Sequence, residues 1–182
     1  MKKKSLRKYL VAIGIGSNIS PRREYIKKAA EMLEKSIDCC RLSKVIETEP
    51  AEGVKGGAFY NAVLCGETLL SPERLLERTS AIETTLGRAS NHPRGEARTI
   101  DLDILIYGDR ILSLPGLTIP HPKMHLRIFV LKGMTELLPN EKHPVFKKSF
   151  STLLSLLQEN TNGYHRRHRR DEEKSTGREK KS

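Results

Sequence analysis

Arg98-Thr99-Ile100-Asp101-Leu102-Asp103-Ile104-Leu105-Ile106-Tyr107 is the stretch on which the fold turns. Its β-branched residues and leucines predict an extended strand. Side chains alternate faces along a strand, so Ile100, Leu102, Ile104 and Ile106 are expected on one face. Asp101 and Asp103 fall on the other, roughly 6–7 Å apart. Immediately upstream, Ser71-Pro72-Glu73 supplies a cap, a first-turn proline and an early acid. Leu75, Leu76, Thr79, Ile82 and Leu86 then make one apolar stripe that stops at Gly87.

Working back toward the N-terminus, Ala58 to Thr68 and Cys39 to Thr48 read as two strands. They are expected to pair antiparallel across the glycine-containing loop from Glu49 to Gly57. Ser20-Pro21, with Ile26, Ala29, Ala30 and Leu33 at helical spacing, predicts an earlier helix capped by Ser20 and running to about Ser36. Tyr9 to Ile15 is the first strand, ending at the turn cluster Gly16-Ser17-Asn18. The order strand, helix, strand, strand, helix, strand defines an α+β chain with a ferredoxin-like βαββαβ core (split βαβ). Leu126 to Leu138 and Phe150 to Leu157 predict additional C-terminal helices over one face of the sheet. Such arrangements host enzymes and RNA-binding modules alike, so the fold does not choose between them.

Over 182 residues the chain carries 33 Lys plus Arg against 22 Asp plus Glu, a formal charge of +11 that points first to nucleic acid. The excess is uneven. Residues 1–8 hold five basic side chains and no acid, residues 161–182 hold eight basic and four acidic, and residues 9–160 are left with 20 against 18. The expected organisation is a basic N-terminal extension (1–8), one domain (9–160) and a disordered basic tail (161–182). The tail has too few apolar residues to offset ordering entropy. It either solubilises the chain or holds RNA or an anionic surface weakly.

At 37% hydrophobic residues the chain can build a core, and no apolar run approaches the roughly 20 residues of a membrane span. Val11 to Gly16 is too short for a signal-peptide core, so a soluble, cytoplasmic protein without a membrane partner is expected. Cys39, Cys40 and Cys65 lack CxxC spacing and are read as buried free thiols.

Two carboxylates on one open face repel each other unless a cation neutralises them. Hard oxygen donors with little enclosure suit Mg²⁺, which takes one or two carboxylates together with substrate phosphates. DxD alone also fits a half-exposed strand whose outer face is acidic. The loop Gly87 to Arg98 adds Arg88, Arg94 and Arg98 immediately upstream. Arginine forks match phosphate oxygens, so phosphoryl or pyrophosphoryl transfer is the chemistry indicated. Glu83, one turn before Gly87, is placed to orient an arginine or a ligand, or is helix-surface charge. Phe59 and Phe129 lie near polar loops and can stack on a flat heterocycle whose edge Asn61 reads, or can pack in the core. His121, between two prolines, sits in an extended loop that suits a ligand-facing donor.

Taken together, six stretches in order resemble the 6-hydroxymethyl-7,8-dihydropterin pyrophosphokinase family. They are Ile13 to Asn18, Glu47 to Pro50, Phe59 to Val63, Ile82-Glu83 with Leu86 to Arg88, Arg98 to Ile104, and Ile119 to Pro122. The resemblance runs from about Val11 to Leu157. It implies Mg²⁺-dependent transfer of pyrophosphate from the co-substrate ATP to a pterin alcohol, with two Mg²⁺ ions on Asp101 and Asp103. It further implies catalytic roles for Arg88 and Arg98, and a nucleotide side comprising Glu83, Arg94, Ile104, Thr118, His121 and Arg127. The pterin side would comprise Thr48, Glu49, Pro50, Phe59, Asn61 and Phe129.

No activated nucleophile is evident, in keeping with direct transfer. The chain departs from the best-known members at Arg94-Gly95-Glu96-Ala97, where they carry Arg-Trp-Gly-Pro. A monomer acting on small molecules is expected. An RNA-binding module is the rival from another class, but such sheets display aromatics where this strand carries aspartates. A pterin-binding relative without catalysis is the third reading.

Overall fold

The computed structural model describes residues 7–50, 55–88 and 96–161. Its first strand, β1 (Tyr9–Ser17), is the second of the two inner strands of an antiparallel sheet. β4 (Phe59–Thr68) flanks it on one side and β5 (Asp101–Tyr107) on the other. Two shorter strands, β2 (Asp38–Leu42) and β3 (Ile46–Thr48), both pair antiparallel with β4.

The single strand expected over Cys39 to Thr48 is therefore split. Ser43 causes the break: its N–H donates to Val63 O at 2.8 Å while its hydroxyl accepts from Val63 N–H at 2.9 Å. A side-chain oxygen thus replaces the carbonyl the ladder would have used, and the chain turns before rejoining β4.

α1 (Arg22–Leu33) and α2 (Pro72–Thr85) cover one face of the sheet. Ile26, Leu33, Leu75 and Ile82 meet Ile13, Ile15, Leu102 and Ile104 there. Ser71 caps α2 as expected, accepting from Arg74 N–H at 3.3 Å. α1 differs from expectation, because Pro21 occupies the cap position and no side chain caps the helix.

The other face is covered by α3 (Ile128–Leu137) and a helix α4 over residues 150–161, which bury Val130, Leu131, Met134 and Phe150 against Val63, Cys65 and Leu105. The helix expected from Leu126 begins later because Arg127 is extended, separating a 3-10 turn (Met124–Leu126) from α3. A β6–β7 hairpin (Leu112–Leu114 and Leu117–Ile119) was not anticipated.

Alternation along β5 also fails at one point. Ala12 pairs with Ile106 and Ile13 with Ile104, so Leu105 is the extra residue of a bulge. Leu105 and Ile106 consequently both join the α3 face, whereas Ile106 was expected beside Ile104. Cys65 is buried, Cys40 half-buried and Cys39 exposed, so burial of the thiols is true of Cys65 alone. Among the described residues no helix is long and apolar enough to cross a membrane.

Candidate active site

β1 contributes hydrogen where its neighbours contribute side chains. Gly14 lies opposite Val63 and Asp103, and Gly16 opposite Asn61 and Asp101. Cross-strand partners share a face, so the glycines lay an open floor between Phe59 and Asn61 on β4 and the aspartates on β5. A Cβ on Gly16 would stand 3.2 Å from Asn61 Oδ1 and 3.9 Å from Asp101 Cβ. Phe129 and Val130, at the start of α3, wall the resulting cleft of ≈ 310 Å³.

Most of the residues singled out in the sequence converge on this cleft. Thr48, Glu49, Phe59, Asn61 and Phe129 line it together with Arg98, Asp101, Asp103 and Arg127. Asn61 is 6% exposed, and its Nδ2 donates to Thr48 Oγ1 at 2.9 Å. A second cleft of ≈ 350 Å³ is lined by Ile104, Thr118 and His121 and shares Asp103 with the first. Pro50, Glu83 and Arg88 line neither cleft, and Arg94 lies outside the described residues.

The acids are surrounded by guanidinium groups. Arg88 Nη1 donates to Asp101 Oδ1 at 2.6 Å and also to Glu83 Oε1. Arg98 Nη1 donates to Asp101 Oδ2, and Arg127 Nη1 to Asp103 Oδ2, each at 2.7 Å. Glu83 Oε1 also accepts from Leu102 N–H at 2.7 Å, so this carboxylate joins α2 to β5 and orients Arg88. Burial pushes the Glu83 carboxyl up, only partly offset by the Leu102 N–H and Arg88. Burial alone would lower Arg88, but Asp101 and Glu83 outweigh it and the guanidinium is raised.

His121 Nε2 stands 3.8 Å from Asp103 Oδ2, and its Nδ1 accepts from Lys123 N–H at 3.2 Å. Burial lowers its pKa despite Asp103. With Nδ1 accepting the Lys123 N–H, the ring nitrogen that carries a proton toward the acids is Nε2.

The aspartate side chains keep 24% and 30% of their surface open, with both oxygens of Asp101 and Oδ2 of Asp103 accepting from guanidinium groups. Among the described residues no group of three or more His, Cys, Asp or Glu encloses a metal site. An ion here would rest on two carboxylates and a ligand's own oxygens, the donor set that suits Mg²⁺. Sequence reasoning puts Gly16 in a turn, but Gly14-Ile15-Gly16 within one strand was the legible signal for the floor, since glycines two apart in a strand share a face.

A model of the family described as 7,8-dihydro-6-hydroxymethylpterin-pyrophosphokinase (HPPK) matches residues 12–139. The 2-amino-4-hydroxy-6-hydroxymethyldihydropteridine pyrophosphokinase of Aquifex aeolicus is 36% identical over 138 residues, covering 76% of this chain and 86% of that protein. The folic acid synthesis protein fol1 of Pneumocystis carinii is 40% identical over 136 residues, 74% of this chain but 18% of its own length. A Plasmodium falciparum HPPK-DHPS crystal structure superposes with a TM-score of 0.67 at 15% identity, over 88% of this chain and 48% of that one, a likeness of fold.

Proposed function

The chain belongs to the 7,8-dihydro-6-hydroxymethylpterin-pyrophosphokinase family, and from that membership we propose how its two adjoining clefts carry out the family's reaction. The activity is transfer of pyrophosphate from ATP to 6-hydroxymethyl-7,8-dihydropterin in folate synthesis. One observation carries the assignment of sites: the aromatic-walled cleft and the cleft at the edge of β5 meet at Asp103.

In this reading the pterin ring lies between Phe59 and Phe129, with Asn61, Thr48 and the Glu49-Pro50 backbone at its edge. Stacking of this kind contributes apolar burial and geometry, and the amide selects the heterocycle by its donors and acceptors. ATP occupies the Ile104, Thr118 and His121 side, with Arg94, Arg127 and Glu83 contributing there. The alcohol oxygen attacks the β-phosphorus, the bond from that phosphorus to the α,β-bridging oxygen breaks, and AMP leaves as the alcohol gives up its proton. His121 Nε2–H donates to a phosphate oxygen. Arg88 and Arg98, both paired with Asp101, would serve the transferred group as fixed cations that favour the spread charge of the transition state. Asp101 and Asp103 would hold two Mg²⁺ ions, which when bound neutralise the phosphates and acidify the attacking hydroxyl.

We read the strand order β2-β4-β1-β5 as the ferredoxin-like arrangement. The domain bounds proposed are 9–160, with basic extensions 1–8 and 161–182, in a cytoplasmic monomer. Incubation of the protein with ATP, Mg²⁺ and the pterin alcohol is expected to release AMP stoichiometrically with pterin diphosphate. Release of ADP, or pterin binding without turnover, would overturn it.

A further inference from the structure

Asn18 directly follows β1, which runs through Gly16 and Ser17 where a turn was expected; it lines neither cleft and is 5% exposed. Every polar group of its side chain is nevertheless used. Oδ1 accepts from Arg98 N–H at 2.7 Å, and Nδ2 donates to Lys55 O at 2.9 Å. Its own N–H donates to Arg98 O at 3.2 Å, so the Arg98 backbone is held on both sides.

Lys55 and Arg98 belong to different loops. Lys55 lies on the connection that leaves Thr48 and Glu49 at the aromatic cleft, whereas Arg98 ends the arginine-bearing connection and reaches Asp101 at 2.7 Å. Two further contacts close the same seam. Lys55 Nζ pairs with Glu96 Oε1 at 2.8 Å. Gly56 has φ +101°, and a Cβ there would fall 2.6 Å from Asn18 Nδ2 and 2.9 Å from Ala97 Cβ. Only glycine allows the first loop to lie this close to the second.

We propose that Asn18 is a positioning residue that sets the Arg98 guanidinium against Asp101 and ties the arginine loop to the loop beside the aromatic cleft, so that filling one cleft favours filling the other. The inference rests on the functional reading above. A hydrogen bond to a loop backbone fixes where its side chain starts, and a displacement of about 1 Å at a phosphate-facing arginine costs up to about 10²-fold in rate. Linkage requires the coupling to be the same from either side.

Asn18→Ala removes both side-chain bonds, whereas Asn18→Asp keeps an acceptor for Arg98 N–H and loses the donor to Lys55 O. In the full-length chain, Asn18→Ala is expected to lower kcat about 10- to 10²-fold, with thermal unfolding near wild type. Asn18→Asp is expected to retain more of kcat. It should also abolish the effect of pterin on affinity for a non-hydrolysable ATP analogue, which in wild type is expected to be about fivefold or more. Unchanged kcat in folded Asn18→Ala, or the same coupling in Asn18→Asp as in wild type, overturns the proposal. Equal losses in both variants that track unfolding also overturn it, by reducing Asn18 to a structural role. A wild-type protein that releases no AMP overturns the functional reading instead. Amide exchange at Arg98 then still decides the tie: faster exchange in Asn18→Ala supports it, and unchanged exchange removes it.

Discussion

Asp101 and Asp103 are two residues apart on one strand, yet each answers to different cations. Asp101 holds Arg88 and Arg98 from the loop before it, and Asp103 holds Arg127 from the turn before α3. Replacing either aspartate by asparagine keeps the shape and removes the charge. Turnover is expected to fall roughly 10²–10³-fold, the scale seen when a group aimed at the reacting charge is lost, while the thermal midpoint changes little. Steady-state AMP release beside a melting curve separates the two, and unfolding of both variants would make the carboxylates structural. Gly16→Ala tests the floor of the cleft. Its backbone φ is not among the positive values, so strain is not the issue, but the added methyl would crowd Asn61 Oδ1 at 3.2 Å. KM for the pterin is expected to rise about tenfold or more, on the scale of a buried polar group losing its partner, with KM for ATP little changed.

The elements that bring these residues together were unevenly legible. Pro72 to Leu86 announced α2 through its cap and stripe, and β5 announced the acidic pair through alternation. The bulge at Leu105 was not legible, because it depends on how β1 registers against β5. The break at Ser43 depends likewise on a hydroxyl reaching Val63, twenty residues away. The role of Asn18 was hidden for the same reason: a turn residue's local chemistry does not reveal two distant loop backbones. Close approach of α3 to β4 is another such tertiary fact, and it carries a prediction. A Cβ at Gly133 would lie 2.6 Å from Val63 Cγ2 and 2.9 Å from Val63 Cβ. Glycine to alanine in a helix interior ordinarily stabilises by about 1 kcal/mol. Here overpacking should reverse the sign, with Gly133→Ala destabilising by about 1–3 kcal/mol. Since α3 also carries Phe129, pterin affinity should weaken with it. Pairing Gly133→Ala with Val63→Ala should recover part of the loss, a non-additivity that denaturant titration of the double-mutant cycle measures directly.

For the molecule as a whole, the charge of +11 is unevenly spread along the sequence, and the segment 9–160 is nearly balanced. Acid sensitivity should instead come from one buried ring. His143 is 3% exposed, is packed against Phe146 and Phe150, and accepts from Val145 N–H at 3.2 Å through Nδ1. Burial, reinforced by neighbouring His125, pushes its pKa down to about 4 from an ordinary 6.5. The native state therefore holds this imidazole neutral, while the unfolded chain takes up its proton as pH falls below 6.5. The stabilising contribution is complete above the unfolded value and is lost progressively as pH falls from there toward 4. Between pH 7 and pH 5 the loss should be about 2 kcal/mol, a substantial part of the stability of a typical domain. His143→Asn leaves an oxygen to accept the Val145 N–H and removes the titration. Urea unfolding of both proteins at pH 7 and pH 5 should show the variant less stable at pH 7 through lost packing, yet with a pH-dependent decrement smaller than wild type by about 2 kcal/mol. Equal decrements in the two proteins would place the acid sensitivity elsewhere.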